Sequence, residues 1–383
     1  MAARIGARIR DIRRQRHMTQ AELAERVGIR AGPMNALENG RHVPTGRVLI
    51  GIASSLGVSV DALVGAPPPE GYVVEEGGVK GAPAAVLLPA LYTPSAGARG
   101  ARMADDLVRA TLALEDLCGA TKRAEIPLYL PCSPTDAGMN NLAMRVRHLL
   151  GIGQAVVWDY LEVLENAGLR VIFCRLPEKC ESLACADYPN GNAAILIRQG
   201  MTSERQMFRL VFELGRIYLD ARRRIGPSTD AAPGEGTPLD EEHAARRFAA
   251  VLLMPSAGIW ATVTQLGIRP DAWTYELLVR IKHRFAVSAE SFAIRLEELG
   301  LIAPALSAEF KRRIRAYYRA TGGTEPGGSP RKLNYNARLS DLSSIALAKP
   351  ETREQAREIL RQLRDLNISL DPITLPPRSR ATP

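Results

Sequence analysis

The residues closest to a catalytic pattern form the segment Phe212-Glu213-Leu214-Gly215-Arg216. This segment has the outline of H-E-x-x-H, in which two histidines four residues apart bind zinc from one helix face and the glutamate acts as a general base. Here Phe212 and Arg216 occupy the two histidine positions, so only Glu213 remains. Because an apolar ring and a cation do not bind zinc, the segment predicts a helix without metal-dependent chemistry. Its vestigial Glu213 is then expected to pair with an arginine.

No other group of side chains in the sequence forms a convincing metal or nucleophile site. The five histidines are scattered, and His243 beside Glu242 is the one neighbouring pair of interest. Cys174, Cys180 and Cys185 are separated by five and four residues, unlike the closely spaced pairs of zinc ribbons. Cys174 falls in a predicted strand, where a core position is the simpler interpretation. The sequence therefore predicts no metal and no cofactor.

The helix that carries this segment is predicted from apolar periodicity between Arg205 and Leu219. Apolar residues recur there at spacings of three and four, which is typical of a helix with one buried stripe. Two helical patterns, NLAMRVRHLLGI and VVWDYLEVLENAGL, and two predicted strands, RVIFCRL and AAILIR, precede it. Two further helical segments, EEHAARRFAAVLLMP and WTYELLVRIKHRFAVSAESFAIRLEELGLI, follow it. Together these elements predict a mixed α+β domain.

The segments RVIFCRLPE, ERQMFRLVFELG, RFAAVLLMP and RFAVSAESFAIRLEELGLI resemble, in this order, the ImmA/IrrE family of zinc metallopeptidase-like domains. The resemblance covers residues 135–303 and implies a zincin-like α+β domain with a small sheet. The family uses two histidines, a catalytic glutamate between them and a further glutamate ligand. The corresponding positions here are Phe212, Glu213, Arg216 and, for the last ligand, Glu242 or Ala244. The departures imply a domain without peptidase activity, in which Arg216 pairs with Glu213 or Glu242.

A separate helical module is predicted at residues 4–64, with five short helices. Thr19 is expected to cap the second helix, and the third helix runs from Arg30 to Asn39 and stops at Gly40. Pro44 begins the fourth helix and Ser59 caps the fifth. The fifth helix runs through Leu63. The apolar positions predicted to face the core are Ile5, Ile9, Ile12, Leu23, Val27, Leu49, Ile52, Ala53 and Leu56.

The string MTQAELAERVGI…NALENGRHVP…LIGIASSLGVSVDAL resembles the helix-turn-helix domain of the XRE (lambda-repressor-like) family. The resemblance implies that the second and third helices meet the major groove of DNA and its phosphates. The implied groove residues are Gln20, Arg30, Ala31 and Asn35, and the implied phosphate contacts are Arg13, Arg16 and Arg41. Residues 1–65 hold ten arginines and five acidic residues, a net charge of +5 that suits a polyanion. One departure is Gly32-Pro33, which replaces polar readers in the first turn of the reading helix.

The composition divides the chain into four segments of a mainly α, multidomain protein. These are the five-helix XRE-type domain (1–65), a linker with a connecting helix (66–134), the ImmA/IrrE-like domain (135–303) and a helical C-terminal extension (304–383). Three helices have open roles. The helix near 101–120 and the last helix, 351–366, either serve a dimer or pack on the central domain, and the basic helix 307–319 contacts DNA or is a solvated face.

The bulk composition favours a soluble chain with a substantial core, because 46% of residues are hydrophobic and 24% are charged. The net charge of +9 is compatible with a nucleic-acid partner. No apolar run reaches the roughly 18 residues of a membrane span, and no secretion signal is recognised. Five cysteines without a paired framework favour a reducing, cytoplasmic location.

These features predict a sequence-specific DNA-binding transcriptional regulator whose central domain acts as a sensor or interaction domain. Its expected partners are double-stranded DNA, a second copy of the chain in a homodimer, and a small-molecule or peptide effector, with no membrane. Two alternatives stay open. One is an ImmA/IrrE-type metallopeptidase that cleaves a repressor, and the other is an antitoxin or phage-type repressor bound to a protein partner.

Overall fold

The computed structural model describes residues 2–15, 18–27, 29–40, 42, 48, 52, 55–56, 97–120, 124, 126–188, 191–225, 236–329, 333, 335–368 and 370. In this part of the chain the protein is mainly α-helical, with fourteen α-helices and one three-stranded sheet, which confirms the predicted fold class. The contacts divide the chain into two compact units, Met1–Lys80 and Gly81–Pro383.

The first unit is a small helical domain. Its described helices are α1 (Ala2–Gln15), α2 (Gln20–Val27) and α3 (Ala31–Glu38). Their apolar stripes meet in one core, whose buried members are Ile5, Ile9, Leu23, Ala24, Met34, Leu37, Ile52 and Leu56. Ile52 and Leu56 were predicted to face inward on a fourth helix. Leu49 and Ala53 of that helix and the predicted fifth helix, with Ser59 and Leu63, lie outside the described residues.

The ends of α2 and α3 follow the local signals in the sequence. The hydroxyl of Thr19 accepts a hydrogen bond from the backbone N–H of Glu22 at 3.2 Å, and the Glu22 carboxylate accepts one from the backbone N–H of Thr19 at 2.7 Å. This reciprocal pair is a capping box, and it starts α2 where Thr19 was predicted to cap it. The helix α3 ends at Glu38, before Gly40, which has a φ of 67°.

A glycine sets the packing of α1 on α3. A Cβ atom at Gly6 would lie 2.2 Å from the backbone oxygen of Leu37, closer than any real side chain allows. Without a side chain at this position, α1 approaches the backbone at the end of α3 directly. The approach brings Arg13, on α1, to the C-terminal end of α3.

The second unit surrounds one sheet with helices. Its helices are α4 (Gly97–Cys118), α5 (Asp136–Leu149), α6 (Tyr160–Asn166), α7 (Ser203–Ile225), α8 (Glu241–Leu253), α9 (Ser256–Gln265), α10 (Tyr275–Ile281), α11 (Ala289–Glu298), α12 (Pro304–Thr321), α13 (Ala337–Ala348) and α14 (Arg353–Asp365). Its strands are β1 (Arg170–Cys174), β2 (Ser182–Asp187) and β3 (Asn192–Arg198).

The sheet has the order β1-β3-β2, with β1 parallel and β2 antiparallel to the central strand. The prediction included β1 and β3 but missed β2. Every residue of β2 is buried, and its sequence SLACAD has no alternation of apolar and polar residues. A short buried strand of small residues gives no periodic signal in the sequence. It is recognised as a strand only by its pairing with β3 in the folded chain.

Both faces of the sheet are covered by helices. Val171 and Phe173 belong to one hydrophobic core, which includes residues of α5, α7 and α8, whereas Ile172 and Cys174 belong to a second core. That second core contains residues of α4, α13 and α14. The predicted connecting helix and the predicted last helix therefore pack on the sheet in this unit. Packing on the central domain was one of the two interpretations offered for each of these helices.

The basic helix, observed as α12, is largely neutralised by neighbouring carboxylates. Lys311 pairs with Glu297 at 3.0 Å, Arg313 with Glu276 at 3.0 Å and Arg315 with Glu290 at 2.7 Å. This arrangement favours a solvated face over a DNA contact for the helix. Among the described helices none is by itself long and apolar enough to cross a membrane, and one pair bent by 41°, α8 with α9, meets the criterion jointly.

Candidate functional site

The helices α2 and α3 form a helix-turn-helix, because only residues 28–30 separate them. The backbone N–H of Ile29 bonds to the carbonyl of Ala24 at 2.9 Å, which closes the end of α2 before the turn. Arg30 stands at the N-cap of α3, and its side chain makes no capping bond. Arg30, Ala31 and Asn35 are all exposed. The predicted groove residues at the start of α3 thus share an accessible surface.

Asn35 is held by a neighbour on its own helix. The side-chain amide of Asn39 donates to the Asn35 side-chain oxygen one helical turn away. This bond restricts the orientation of the exposed Asn35 side chain on the surface of α3.

A buried carboxylate ties the three helices of the first unit together. Glu38, at the end of α3, accepts bonds from Arg13 of α1 at 2.6 and 2.9 Å and from the side chain of Gln20 of α2 at 2.6 Å. Burial raises the pKa of Glu38, but the hydrogen bonds from Arg13 and Gln20 outweigh it, so the pKa lies below its ordinary value. This carboxylate therefore links α1 and α2 to the C-terminal end of α3.

The network corrects one predicted phosphate contact. The guanidinium of Arg13 is buried against Glu38 and also donates to the backbone oxygen of Met18 at 2.7 Å. Its donors point into the domain, so Arg13 holds the helices together and is not on the DNA-facing surface. Gln20 is partly buried, with its amide nitrogen engaged by Glu38. Arg16 and Arg41 lie outside the described residues.

The segment Phe212–Arg216 lies in the middle of α7. Phe212 is 4% exposed and packs in the core, with Phe208 stacked beside it at 6.5 Å between ring centroids. The guanidinium of Arg209 covers its ring at 5.1 Å. Gly215 lets α8 approach closely, because a Cβ there would lie 2.8 Å from the ring of Phe248. The first histidine position of the pattern is thus filled by packed aromatic surface.

Glu213 is fully buried and has two partners. One carboxylate oxygen accepts from the hydroxyl of Ser182 at 2.7 Å, and the other accepts from Nη1 of Arg216 at 3.0 Å. Burial raises the pKa of Glu213 above its ordinary value, although Arg216 and Ser182 oppose the shift. The predicted pairing of Arg216 with Glu213 is confirmed. Ser182 was missed, because it belongs to the strand that the sequence did not reveal.

The acidic residue that reaches the motif from α8 is Glu241, not Glu242. Oε1 of Glu241 lies 3.5 Å from Nε of Arg216. Glu242 is exposed and pairs with Arg246 at 2.5 Å on the outer face of α8, which corrects its predicted role at the former metal position. Ala244, the other predicted ligand position, is fully buried. Adjacent residues of a helix point in directions about 100° apart, so one step in register decides which carboxylate faces α7.

The remaining metal candidates are dispersed. His243 bonds to Asp240 at 2.7 Å on the exposed start of α8. Cys174, Cys180 and Cys185 are buried, and burial raises the pKa of Cys174 and of Cys185 to about 12. Across the described ranges, no three His, Cys, Asp or Glu side chains cluster closely enough to hold a metal ion.

Two family models match the chain in the two units. A helix-turn-helix model matches residues 9–63, and the peptidase M78 model, an IrrE N-terminal-like domain, matches residues 164–297. The chain is 35% identical over 75 residues to the ImmF control region 10 kDa protein of Bacillus phage phi105, covering 20% of the chain and 80% of that protein. It is 36% identical over 61 residues to the Immunity repressor protein of the same phage, covering 16% of the chain and 42% of that protein.

A solved structure with sequence similarity is the clp gene regulator ClgR from Corynebacterium glutamicum. It is 30% identical, with 16% of this chain and 67% of that chain covered and a TM-score of 0.16. The helix-turn-helix model falls within the first unit and the IrrE N-terminal-like model within the second. The chain belongs to the helix-turn-helix family of DNA-binding transcriptional regulators and carries an IrrE N-terminal-like domain.

Proposed function

We propose that this regulator reads DNA with the exposed start of α3 and uses its IrrE-like domain as a sensing or docking domain without peptidase activity. The observation that carries the second part is the position of Arg216, whose guanidinium lies between Glu213 and Glu241. A cation there satisfies both carboxylates and repels a divalent metal.

The exposure and charge at the start of α3 support its assignment as the DNA-reading surface. Arg30 has the donor geometry to bind guanine in the major groove, and Asn35 has the amide to bind a base edge. Helix-turn-helix proteins usually bind as dimers, with half-sites about one turn of DNA apart. We therefore propose a homodimer on an operator with two related half-sites. The similarity of part of the chain to the Immunity repressor protein of Bacillus phage phi105 supports repression as the output.

Changing Arg30 to alanine is expected to weaken operator binding roughly 5- to 150-fold, because one bidentate arginine–base pair contributes roughly 1–3 kcal/mol. The operator is first obtained by selecting bound fragments from random DNA, and we expect two half-sites. Binding is then measured by fluorescence anisotropy at fixed salt. Arg26→Ala is the matched control, because Arg26 is an exposed arginine in the last turn of α2, outside the reading helix. Equal losses in both variants would contradict the assignment of α3 as the reading helix.

The absence of zinc chemistry is tested on the purified full chain. We expect far less than one zinc per chain by elemental analysis after dialysis against zinc and then buffer, because the described motif offers one carboxylate and no imidazole. Stoichiometric zinc that disappears in Glu213→Gln would refute the proposal and favour the alternative, a metallopeptidase that cleaves a repressor. Zinc that survives this change is bound elsewhere and leaves the motif without metal.

A further inference from the structure

A small open cavity lies at the end of α7, one turn beyond Arg216. Its volume is about 290 Å³, room for about ten water-sized groups at ~30 Å³ each. The C-terminal part of α7, the start of α8 and the chain before α5 surround it. The lining residues are Pro134, Leu219, Arg222, Arg223, Leu239 and Glu241. The backbone N–H of Leu239 bonds to the carbonyl of Pro134 at 2.6 Å, which joins two of these walls.

The cavity combines an apolar floor with an arginine that has no counter-ion among the described residues. Pro134, Leu219 and Leu239 supply the apolar surface. Arg222 makes no ion pair or hydrogen bond with any residue that the structure describes, although it is partly buried. Burial of a guanidinium without a partner is unfavourable, so an anion that reaches Arg222 gains a charge-assisted bond and relieves that cost.

Arg223, the second arginine of the cavity, shares the partner Glu241 with Arg216. Arg223 pairs with Asp220 at 2.5 Å and more loosely with Glu241 at 3.6 Å. The carboxylate of Glu241 also lies 3.5 Å from Arg216, on the other side. Glu241 thus links the cavity to Arg216, and through Glu213 to Ser182 in β2.

We infer that this cavity binds the free C-terminal carboxylate of a short peptide that ends in an aliphatic residue. The aliphatic side chain fits the apolar floor, and the carboxylate pairs with Arg222. Among the residues that line the cavity, Arg222 and Arg223 stand against one acid, Glu241, so the local charge favours an anion. The inference rests on the proposed sensing role and names its ligand class.

Ligand binding at this position changes the pairing of Glu241. A carboxylate at Arg222 also approaches Arg223 and competes with Glu241 for it. Glu241 is then free to pair fully with Arg216, which shifts the balance of the buried pair between Arg216 and Glu213. The signal therefore enters the sheet through Ser182, without any metal.

The test is calorimetric titration of the full chain with N-acetyl-leucine and with N-acetyl-leucinamide, which differs only in lacking the carboxylate. We expect saturable binding of the acid at millimolar concentration or below, as befits a ligand of this size, and at least about tenfold weaker binding of the amide. Arg222→Met is expected to lower the affinity for N-acetyl-leucine about tenfold. Glu241→Gln is expected to raise that affinity by about threefold, because the competing carboxylate is gone.

Arg224→Met is the matched control, since Arg224 lies on the same helix, pairs with Asp220 at 2.6 Å and does not line the cavity. The affinity of this variant for N-acetyl-leucine is expected to stay within about twofold of that of the unchanged chain. Equal binding of acid and amide, no saturable binding below about 10 mM, or equal effects of Arg222→Met and Arg224→Met would each overturn the inference. Operator binding and zinc content of the same preparations separate this outcome from failure of the proposed function. A chain that binds DNA without zinc but ignores the acid contradicts only the cavity.

Discussion

Changing Glu38 to glutamine is expected to destabilise the helix-turn-helix unit by roughly 3–5 kcal/mol, because it leaves the buried guanidinium of Arg13 without a counter-ion. The carboxylate is 2% exposed and accepts three hydrogen bonds, from Arg13 and Gln20. A domain of about 65 residues is stabilised by only a few kcal/mol, so the loss unfolds a large share of it and abolishes operator binding.

Hydrogen exchange on the full chain measures this loss separately in each unit. In Glu38→Gln, amides of α1, α2 and α3 are expected to lose protection, while those of the sheet keep it. Glu25→Gln is the matched control, because Glu25 is exposed on α2 and has the same charge. Unchanged protection of α1–α3 in the Glu38 variant would show that the buried pair does not hold the unit together.

The same carboxylate gives the unit a dependence on acid pH. Its pKa is lowered in the folded state, so its contribution to stability is present above the ordinary glutamate pKa of 4.5 and is lost as the pH falls through the folded value. The difference in stability between the unchanged chain and Glu38→Gln is therefore expected to be full at neutral pH and to shrink below pH 4.5.

Changing Arg216 to methionine is expected to cost the second unit roughly 3–5 kcal/mol, because Glu213 is then a buried carboxylate with only Ser182 as a described donor. The midpoint of thermal unfolding should fall by on the order of 10 °C. Glu213→Gln is expected to cost less, since it removes the buried charge and leaves Arg216, which is 7% exposed, beside Glu241. The control Arg269→Met changes an ion pair with Asp271 in which both side chains are exposed, and it should have little effect.

The cost of Arg216→Met is expected to depend on pH with a definite sign. Burial raises the pKa of Glu213 in the folded state, so folding favours its protonated form. The contribution of such a group is fully present below the ordinary pKa of 4.5 and is lost as the pH rises through the folded value. Removing Arg216 enlarges this effect, so the deficit of the variant should be largest at neutral and alkaline pH and should shrink towards pH 4.5. A deficit independent of pH would show that packing, not the carboxylate, explains the loss.

The elements predicted well from the sequence are those with local signals. The capping pair of Thr19 and Glu22 lies within one turn, and the pair of Glu213 and Arg216 is three residues apart on a helix that its own periodicity specifies. Such contacts depend mainly on helix geometry, which the sequence pattern reveals directly. The assignment of the two families rested on the same kind of continuous pattern.

The predictions that needed correction all concern partners far apart in the chain. Arg13 meets Glu38 across 25 residues, and Ser182 meets Glu213 across 31. An arginine on a basic helix face looks like a phosphate contact until the packing of α1 on α3 turns it inward. Likewise Glu241 and Glu242 are equivalent in the sequence, and only the register of α8 against α7 distinguishes them.

The sequence by itself determined that the chain carries a helix-turn-helix and an IrrE-like domain, and that Phe212 and Arg216 stand at the two histidine positions of the H-E-x-x-H outline. Only the tertiary structure decided what Phe212 and Arg216 contact, because a side chain's partners follow from how helices and strands pack. It added β2 and thereby Ser182, it turned Glu241 towards Arg216, and it covered the second face of the sheet with α4, α13 and α14. Helical periodicity is encoded every three to four residues, whereas packing register is settled by the fit of whole surfaces.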